Sequence, residues 1–388
     1  MRVLAAFDKF RGSISATEAC AIAAEAVASA RAGCEVDACP LSDGGEGFTE
    51  ILTRAAGGSE RRLSVSGPRG GAAAASLGIV SIDKIPRAAR GRLGAAVSGS
   101  EGTVAVVEMA AASGLALLAP AERDPLRATS AGTGQLLRAA AATGSRAILL
   151  GVGGSATIDM GLGALGALGV ACLAASGARL ESPVPADWPG VRGIEGGVPG
   201  SLPPIVIACD VDNPLHGPTG AAAVYGPQKG LRPGDLAAHE AESLRIAALM
   251  CAHFGRPESL AALPGAGAAG GIAFGLMVAA GAELVPGFDL VASWLDLDRR
   301  ISAADVVFTG EGRFDDSSLR GKGPGAVVLR ALALGKPVHV FAGGVALSRE
   351  IPGLATHAIT PRGAAPAAAL AGAPALLLAS VRRAASGL

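Results

Sequence analysis

The sequence predicts an α/β fold built on parallel sheets, and three observations carry that prediction. Short runs rich in Val, Ile and Leu recur along the 388 residues, they are continuously apolar, and Ala-rich segments of helical length separate them. A strand covered on both faces has no polar face to show, so its pattern is unbroken rather than alternating. Strands that alternate with helices are joined by crossovers, and crossovers make parallel sheets.

Taken in order, the strand-like runs are "VLAAFD" (3–8), "TVAVVEMA" (103–110), "AILLGVG" (147–153), "PIVIACDV" (204–211), "DVVFTG" (305–310) and "PVHVFAGG" (337–344). Ser15-Ala16-Thr17-Glu18 is a capping box that opens a helix to about Arg31. A second helix runs from Asp235 to about Phe254, and the Ala-rich tail from Gly363 reads as a third because Leu recurs at useful intervals. Residues 61–102 hold short turn-rich pieces that read as hairpins, and 176–203 are rich in Pro and Gly. Both interrupt the α/β rhythm and are read as parts of a second domain or a lid.

Composition removes several functions. Net charge is zero, with one Tyr and two Trp, so neither a basic stripe nor stacking aromatics offer a nucleic-acid surface. The six cysteines show no metal-ligand spacing and mostly sit in apolar runs, as expected of free thiols in a reducing compartment. Five apolar residues before Asp8 are too few for a signal peptide. The apolar stretch 147–175 is interrupted by Asp159 and crowded with glycine, a poor membrane span. A cytoplasmic protein without nucleic-acid or membrane partners is expected.

Function is sought at strand ends, because parallel sheets bind ligands beyond their carboxyl edge. Five ends deliver acids, bases or glycine: Asp8-Lys9-Phe10-Arg11; Ser42-Asp43-Gly44-Gly45-Glu46; Gly153-Gly154-Ser155 with Asp159; Asp210 with Asp212 and Asn213; and the stretch from Glu311. Six of the twelve residues from Glu311 to Lys322 are charged, in a chain only 17% charged overall. Glycine turns that present backbone N–H groups, carboxylates for Mg²⁺ and basic side chains together suit phosphoryl transfer. Each item has a plain structural reading as a helix cap, a tight turn or a surface ion-pair network. It is the recurrence at five ends that favours a site.

Two stretches, "GLGALG" (161–166) and "GAGAAG" (265–270), fit G-x-G-x-x-G, but with 57 glycines about one such match is expected by chance, and no Walker-type loop is present. A nicotinamide-dependent hydroxy-acid dehydrogenase would carry its fingerprint after the first strand, where Asp8-Lys9 stand instead. The histidines show no ligand logic, His216 in "DVDNPLHGPTG" being the exception worth placing.

The blocks "FDKFRGSISATEA", "PLSDGGEGFTEIL", "RDPLRATSAGTGQLL", "GVGGSATIDMGLGALGALG", "ACDVDNPLHGPTGAAAVYGPQKG" and "FTGEGRFDDSSLRGKGP" resemble, in order, those of the class I bacterial glycerate kinase family. The resemblance implies ATP- and Mg²⁺-dependent phosphorylation of D-glycerate, commonly to 2-phosphoglycerate; a 3-phosphoglycerate-forming enzyme is the alternative. It implies a Rossmann-like domain with a second, inserted α/β domain and an active site in the interdomain cleft. Residues 1–60, 127–170 and 290–388 are assigned to the first domain, and 61–126 with 171–289 to the second. A monomer or homodimer is expected. Ile158 and Met160 depart from the family pattern, which usually shows Asn and Gly there.

Roles are assigned by charge. Arg313 and Lys9, with Arg11 behind them, are to hold the glycerate carboxylate, and Lys229 and Lys322 the ATP phosphates. Gly153, Gly154 and Ser155 are to supply backbone contacts, and Asp210 and Asp43 to bind Mg²⁺. Asp159 or Asp315 is to act as base. Asp8, Ser42, Glu46, Asn213, Glu311 and Ser318 complete the expected site. "PGAGAAGG" (264–271) and the Pro-rich segments are read as hinges.

Overall fold

The computed structural model describes residues 1–97, 99–319, 321 and 323–388. Two compact units emerge, Met1–Asp43 with Val291–Leu388, and Gly44–Leu290 inserted between those segments.

The chain opens with β1 (Arg2–Phe7), α1 (Ala16–Ala30) and β2 (Glu35–Ala38). The inserted unit follows with α2 (Phe48–Ala55), β3 (Ser59–Ser66), β4 (Ala72–Ser81), α3 (Arg87–Arg92), β5 (Thr103–Glu108) and α4 (Ala110–Ser113). Then come α5 (Ala131–Ala141), β6 (Ala147–Gly151), α6 (Leu162–Ala167), β7 (Val170–Ala174), β8 (Arg179–Leu180), β9 (Val191–Gly196) and β10 (Ile205–Cys209). It continues through α7 (Ala221–Lys229), α8 (Leu236–Phe254), α9 (Ala268–Ala280), β11 (Glu283–Pro286) and α10 (Gly287–Trp294). The first unit resumes within α10 and is completed by α11 (Leu297–Ala303), β12 (Val306–Asp315), α12 (Gly323–Ala333), β13 (Val338–Ala346), β14 (Leu354–Ala358) and α13 (Pro366–Ser386).

In the first unit the strands lie in the order β14-β13-β12-β1-β2, and every pairing is parallel. Chain order reverses between β1 and β12, which makes that junction the topological switch point of a doubly wound sheet. Val3 to Phe7 are fully buried, as their unbroken apolar pattern requires. Ser15 caps α1 as its capping box predicts, its Oγ accepting from Glu18 N at 3.1 Å. The predicted tail helix is α13, whose Ala373, Leu377, Val381 and Ala385 form a buried stripe at four-residue spacing against the core shared with α1. By length and composition α13 also meets the minimum for a bilayer span.

The inserted unit has a sheet ordered β11-β10-β6-β5-β4-β3, parallel from β11 to β5 and antiparallel through the β4–β3 hairpin. Because β6 is central to this sheet, residues 127–170 belong here and not with β1 as the sequence reading grouped them; residues 44–60 likewise belong here. The hairpin begins at Ser59, two residues before the region read as hairpins, and otherwise falls in it, and residues 176–203 supply β8 and β9 of a small sheet ordered β8-β7-β9.

The segment read as a hinge is packing material within this unit. Ala269, Gly270 and Gly271 are successively left-handed, and a Cβ on Gly270 would stand 2.0 Å from Thr157 O. Glycine is needed there because the backbone presses onto the 157–161 loop. The other G-x-G-x-x-G match is packed in the same way: a Cβ on Gly163 would meet Thr129 Oγ1 at 2.2 Å, and one on Gly166 would meet Glu181 O at 1.5 Å. Neither glycine pattern is a dinucleotide turn.

Candidate active site

Asp8 and Glu311 flank the switch point of the first unit, since Phe7 pairs with Gly310 in the last register position of β1 and β12. Asp8 N donates to Gly310 O at 3.0 Å, which pins the start of the β1–α1 loop to β12. Its carboxylate is turned inward and accepts from Lys9 N at 2.7 Å. The loop is closed by reciprocal backbone bonds between Phe10 and Ile14 and turns at Gly12, whose φ is +77°. Three carboxylates, Asp8, Asp43 and Glu311, share this corner with one ammonium. Lys9 Nζ binds Asp43 Oδ1 and stands farther from Asp8 Oδ1.

Burial pushes the Asp8 carboxyl up to about 7; Lys9 opposes this, and the charges of Asp43 and Glu311 add to the push. Burial also raises Glu311, against a hydrogen bond from the Ser318 hydroxyl. Glu311 Oε1 is shielded from solvent without a hydrogen-bond partner among the described residues. Arg11 is exposed and pairs with no carboxylate among the described residues, so its charge faces open space beside this cluster. An acidic corner with two nearby cations fits a divalent ion that arrives with a polyphosphate. Mg²⁺ is commonly held by one or two carboxylates plus substrate phosphates. No group of three His, Cys, Asp or Glu forms a ready-made metal cage among the described residues.

The inserted unit carries glycine turns of its own. Gly153 N donates to Gly44 O at 3.0 Å, and a Cβ on Gly153 would stand 2.7 Å from Gly45 N. A Cβ on Gly154 would press on Glu46 Oε1 at 2.9 Å. The turns at 44–47 and 153–154 therefore stack backbone on backbone. Glu108, at the end of β5, accepts from Gly47 N and Thr49 N and holds the first turn of α2. Below the second turn, buried Lys229 donates to Ser155 Oγ at 2.8 Å and Thr157 O at 2.7 Å. Burial lowers the Lys229 ammonium to about 7, with the Asp159 charge opposing.

A model of the "Glycerate kinase family" matches residues 3–387. The chain belongs to that family. It is 35% identical over 368 residues to the glycerate kinase of Bacillus subtilis strain 168, covering 92% of this chain and 88% of that one. It is 35% identical over 355 residues to the glycerate 2-kinase of Escherichia coli K12, covering 89% and 86%. A crystal structure from Salmonella typhimurium LT2, named as glycerate kinase 2, superposes with a TM-score of 0.75 at 33% identity, covering 100% of this chain and 98% of that one.

For this glycerate kinase family member, the structure brings Asp8, Lys9, Arg11, Asp43, Glu311 and Arg313 around one cavity in the first unit. Ser42 is buried just before Asp43, and Ser318 serves Glu311 and accepts from Asp315 N. Glu46, Gly153, Gly154, Ser155 and Lys229 gather in the inserted unit. Lys322 lies outside the described residues.

Five roles change on structural grounds. Asp159 is fully buried, and its oxygens accept from Ser130 N, Ser130 Oγ, Gly161 N and Gly163 N, so it organises the loop and is not placed to act as base. Asp315 is held down to about 2 by Ser317 and Arg313, too acidic to draw a proton at neutral pH. Both Asp210 oxygens face Phe288 N, at 3.1 and 2.9 Å, the capping position at the start of α10 rather than a metal ligand's. Lys229 supports the 153–157 loop from below instead of reaching outward. Asn213 is likewise occupied in its own loop, bonded to Tyr225 Oη and Thr219 O.

The departures at 158 and 160 have physical correlates. Ile158 is buried against Ala222 and Leu231. Met160 has φ +50°, the left-handed region a glycine would enter without strain, and its Sδ accepts from Ser243 Oγ. Ser243 also meets His216 Nε2 at 2.9 Å, which makes His216 a packing partner of this loop.

Sequence reasoning missed Glu108 and Ser130. Glu108 had a local signal, a lone acid closing an apolar strand. Ser130 had none, because its bond to Asp159 spans 29 residues.

Proposed function

We propose that the chain transfers the terminal phosphoryl group of ATP to the 2-hydroxyl of D-glycerate, giving 2-phosphoglycerate and ADP. Asp8 acts as the base: the glycerate oxygen bonds to the γ-phosphorus, the bond to the bridging oxygen of ADP breaks, and the hydroxyl proton passes to the Asp8 carboxylate. Lys9 holds Asp8 and Asp43 in place and, with Arg11, offsets phosphate charge. Arg313 remains the candidate for the glycerate carboxylate. Gly154 and Ser155 are assigned to an anionic group of the substrates through their backbone N–H groups, whereas Gly153 N is already engaged by Gly44 O. Asp43 and Glu311 are the carboxylates that would hold Mg²⁺, which when bound neutralises charge on the transferring group.

Family membership across residues 3–387 supports the reaction class, and the observation that carries the mechanism is the buried Asp8 at the switch point, beside Lys9. The six cysteines are free, which supports a cytoplasmic setting.

The test is phosphorus NMR of the protein incubated with ATP, Mg²⁺ and D-glycerate. A 2-phosphoglycerate signal growing with ADP is expected. A 3-phosphoglycerate signal would move the attack to the other hydroxyl, and unchanged ATP would overturn the reading.

A further inference from the structure

The first unit holds a cavity of about 530 Å³ along the carboxyl edge of its sheet. One end lies at β1 and β12, where the charged groups gather. The other lies beyond β14, where Ile359 and, from the first turns of α13, Ala369, Leu370 and Ala373 form an apolar wall. Between them Gly343 of β13 keeps the passage lined by backbone, since a Cβ there would stand 2.5 Å from Gly312 O.

Neither end alone explains the whole. A three-carbon acid such as glycerate would fill a small part of this volume and has no use for an apolar wall. A nucleotide has both halves, a flat base and an anionic polyphosphate, with a ribose between. From β1 to β14 the sheet order steps across three strand spacings, about 14 Å. That is the reach of an extended adenosine triphosphate from its base to its last phosphate.

The geometry points to this cavity as the nucleotide site, with the phosphates at Lys9 and Arg11 and the base against Ile359, Ala369 and Leu370. The assignment rests on the ATP-dependent reading above and makes the C-terminal helix a substrate-binding element. Phe10, buried beside the charged end, gives the ribose an apolar floor. Thr360 adds a polar side chain beside the apolar wall.

The test places a reporter in the wall. Leu370 is 47% exposed, so Leu370→Trp is tolerated without repacking, and the parent, whose Trp188 and Trp294 are buried, supplies the baseline response. Emission of the new indole should change saturably with ATP, ADP and adenosine, and not with D-glycerate or tripolyphosphate. In a second variant, Ala369→Glu, the KM for ATP should rise on the order of tenfold, with the KM for D-glycerate and kcat held. A response to tripolyphosphate or D-glycerate but not adenosine, or no response to any of them, overturns the assignment. So does an Ala369→Glu variant that moves only the glycerate KM. Normal ATP-driven phosphorylation without an indole response sinks this site alone. A saturable adenosine response without phosphorylation of D-glycerate sinks the kinase reading and leaves the site standing.

Discussion

Lys9 Nζ lies 2.8 Å from Asp43 Oδ1 and 3.8 Å from Asp8 Oδ1, so one ammonium serves two carboxylates. Lys9 opposes the burial that raises Asp8, and Lys9→Met removes that opposition. Asp8 should then titrate at higher pH. The acid limb of kcat/KM is predicted to move alkaline by roughly one pH unit, measured as a pH profile beside the parent. An unmoved limb would mean that Asp8 is not the group being titrated.

Asp8 also leaves a mark on stability. Its folded value, about 7, lies above the ordinary 3.8, so the native state binds more protons between those values. Stability therefore falls as pH rises from about 4 to about 7 and then levels off. Asp8→Asn does not titrate, so it should be more stable than the parent above pH 7, by roughly 2–4 kcal/mol, with the gap closing towards pH 4. Urea unfolding at several pH values measures this, and a gap that widens on acidification contradicts it.

For Lys229 the sign is reversed. Its folded value, about 7, lies below the ordinary 10.5, so the parent gains stability as pH rises between them. Lys229→Met removes the buried charge and leaves Ser155 Oγ and Thr157 O without their partner, a loss of about 1–3 kcal/mol. The variant should compare better with the parent at pH 6 than at pH 9, and turnover should fall at both as the 153–157 loop loosens. Chemical denaturation at the two pH values, paired with steady-state rates, separates the two effects.

The glycines divide by what lies behind them. Gly270 and Gly144 are both left-handed, but only Gly270 has backbone within 4 Å of a built Cβ. Gly144→Ala should cost about 1 kcal/mol, the conformational term alone. Gly270→Ala should cost more than about 4 kcal/mol or fail to fold. Equal melting temperatures for the two variants would refute the close packing of the 157–161 loop.

Much of the fold was legible because it is written locally. The unbroken run at 3–8 could only be a strand with both faces covered, and Ser15 with Glu18 marked the start of α1. The domain division was not legible: β6 looks like β1 in composition, and which sheet a buried strand joins is decided by partners far away in sequence. The site shows the same limit. That strand ends carry the chemistry is an expectation from the parallel sheet, and it singled out Asp8, Lys9, Asp43 and Glu311, which the fold gathers around one cavity. Individual roles did not follow, because Asp159 and Asp8 differ in what surrounds their carboxylates: one is saturated by Ser130, Gly161 and Gly163, while the other shares its corner with like charges.

The most direct measurement is the pH dependence of kcat for D-glycerate phosphorylation in the parent and in Asp8→Asn. The parent should lose activity as pH falls through about 7, the value burial imposes on this carboxyl. The variant should be slower by about 10²–10⁴-fold at pH 8, with that limb gone. A variant that turns over at near-parent rates, or keeps the same limb, would show that the proton leaves by another route.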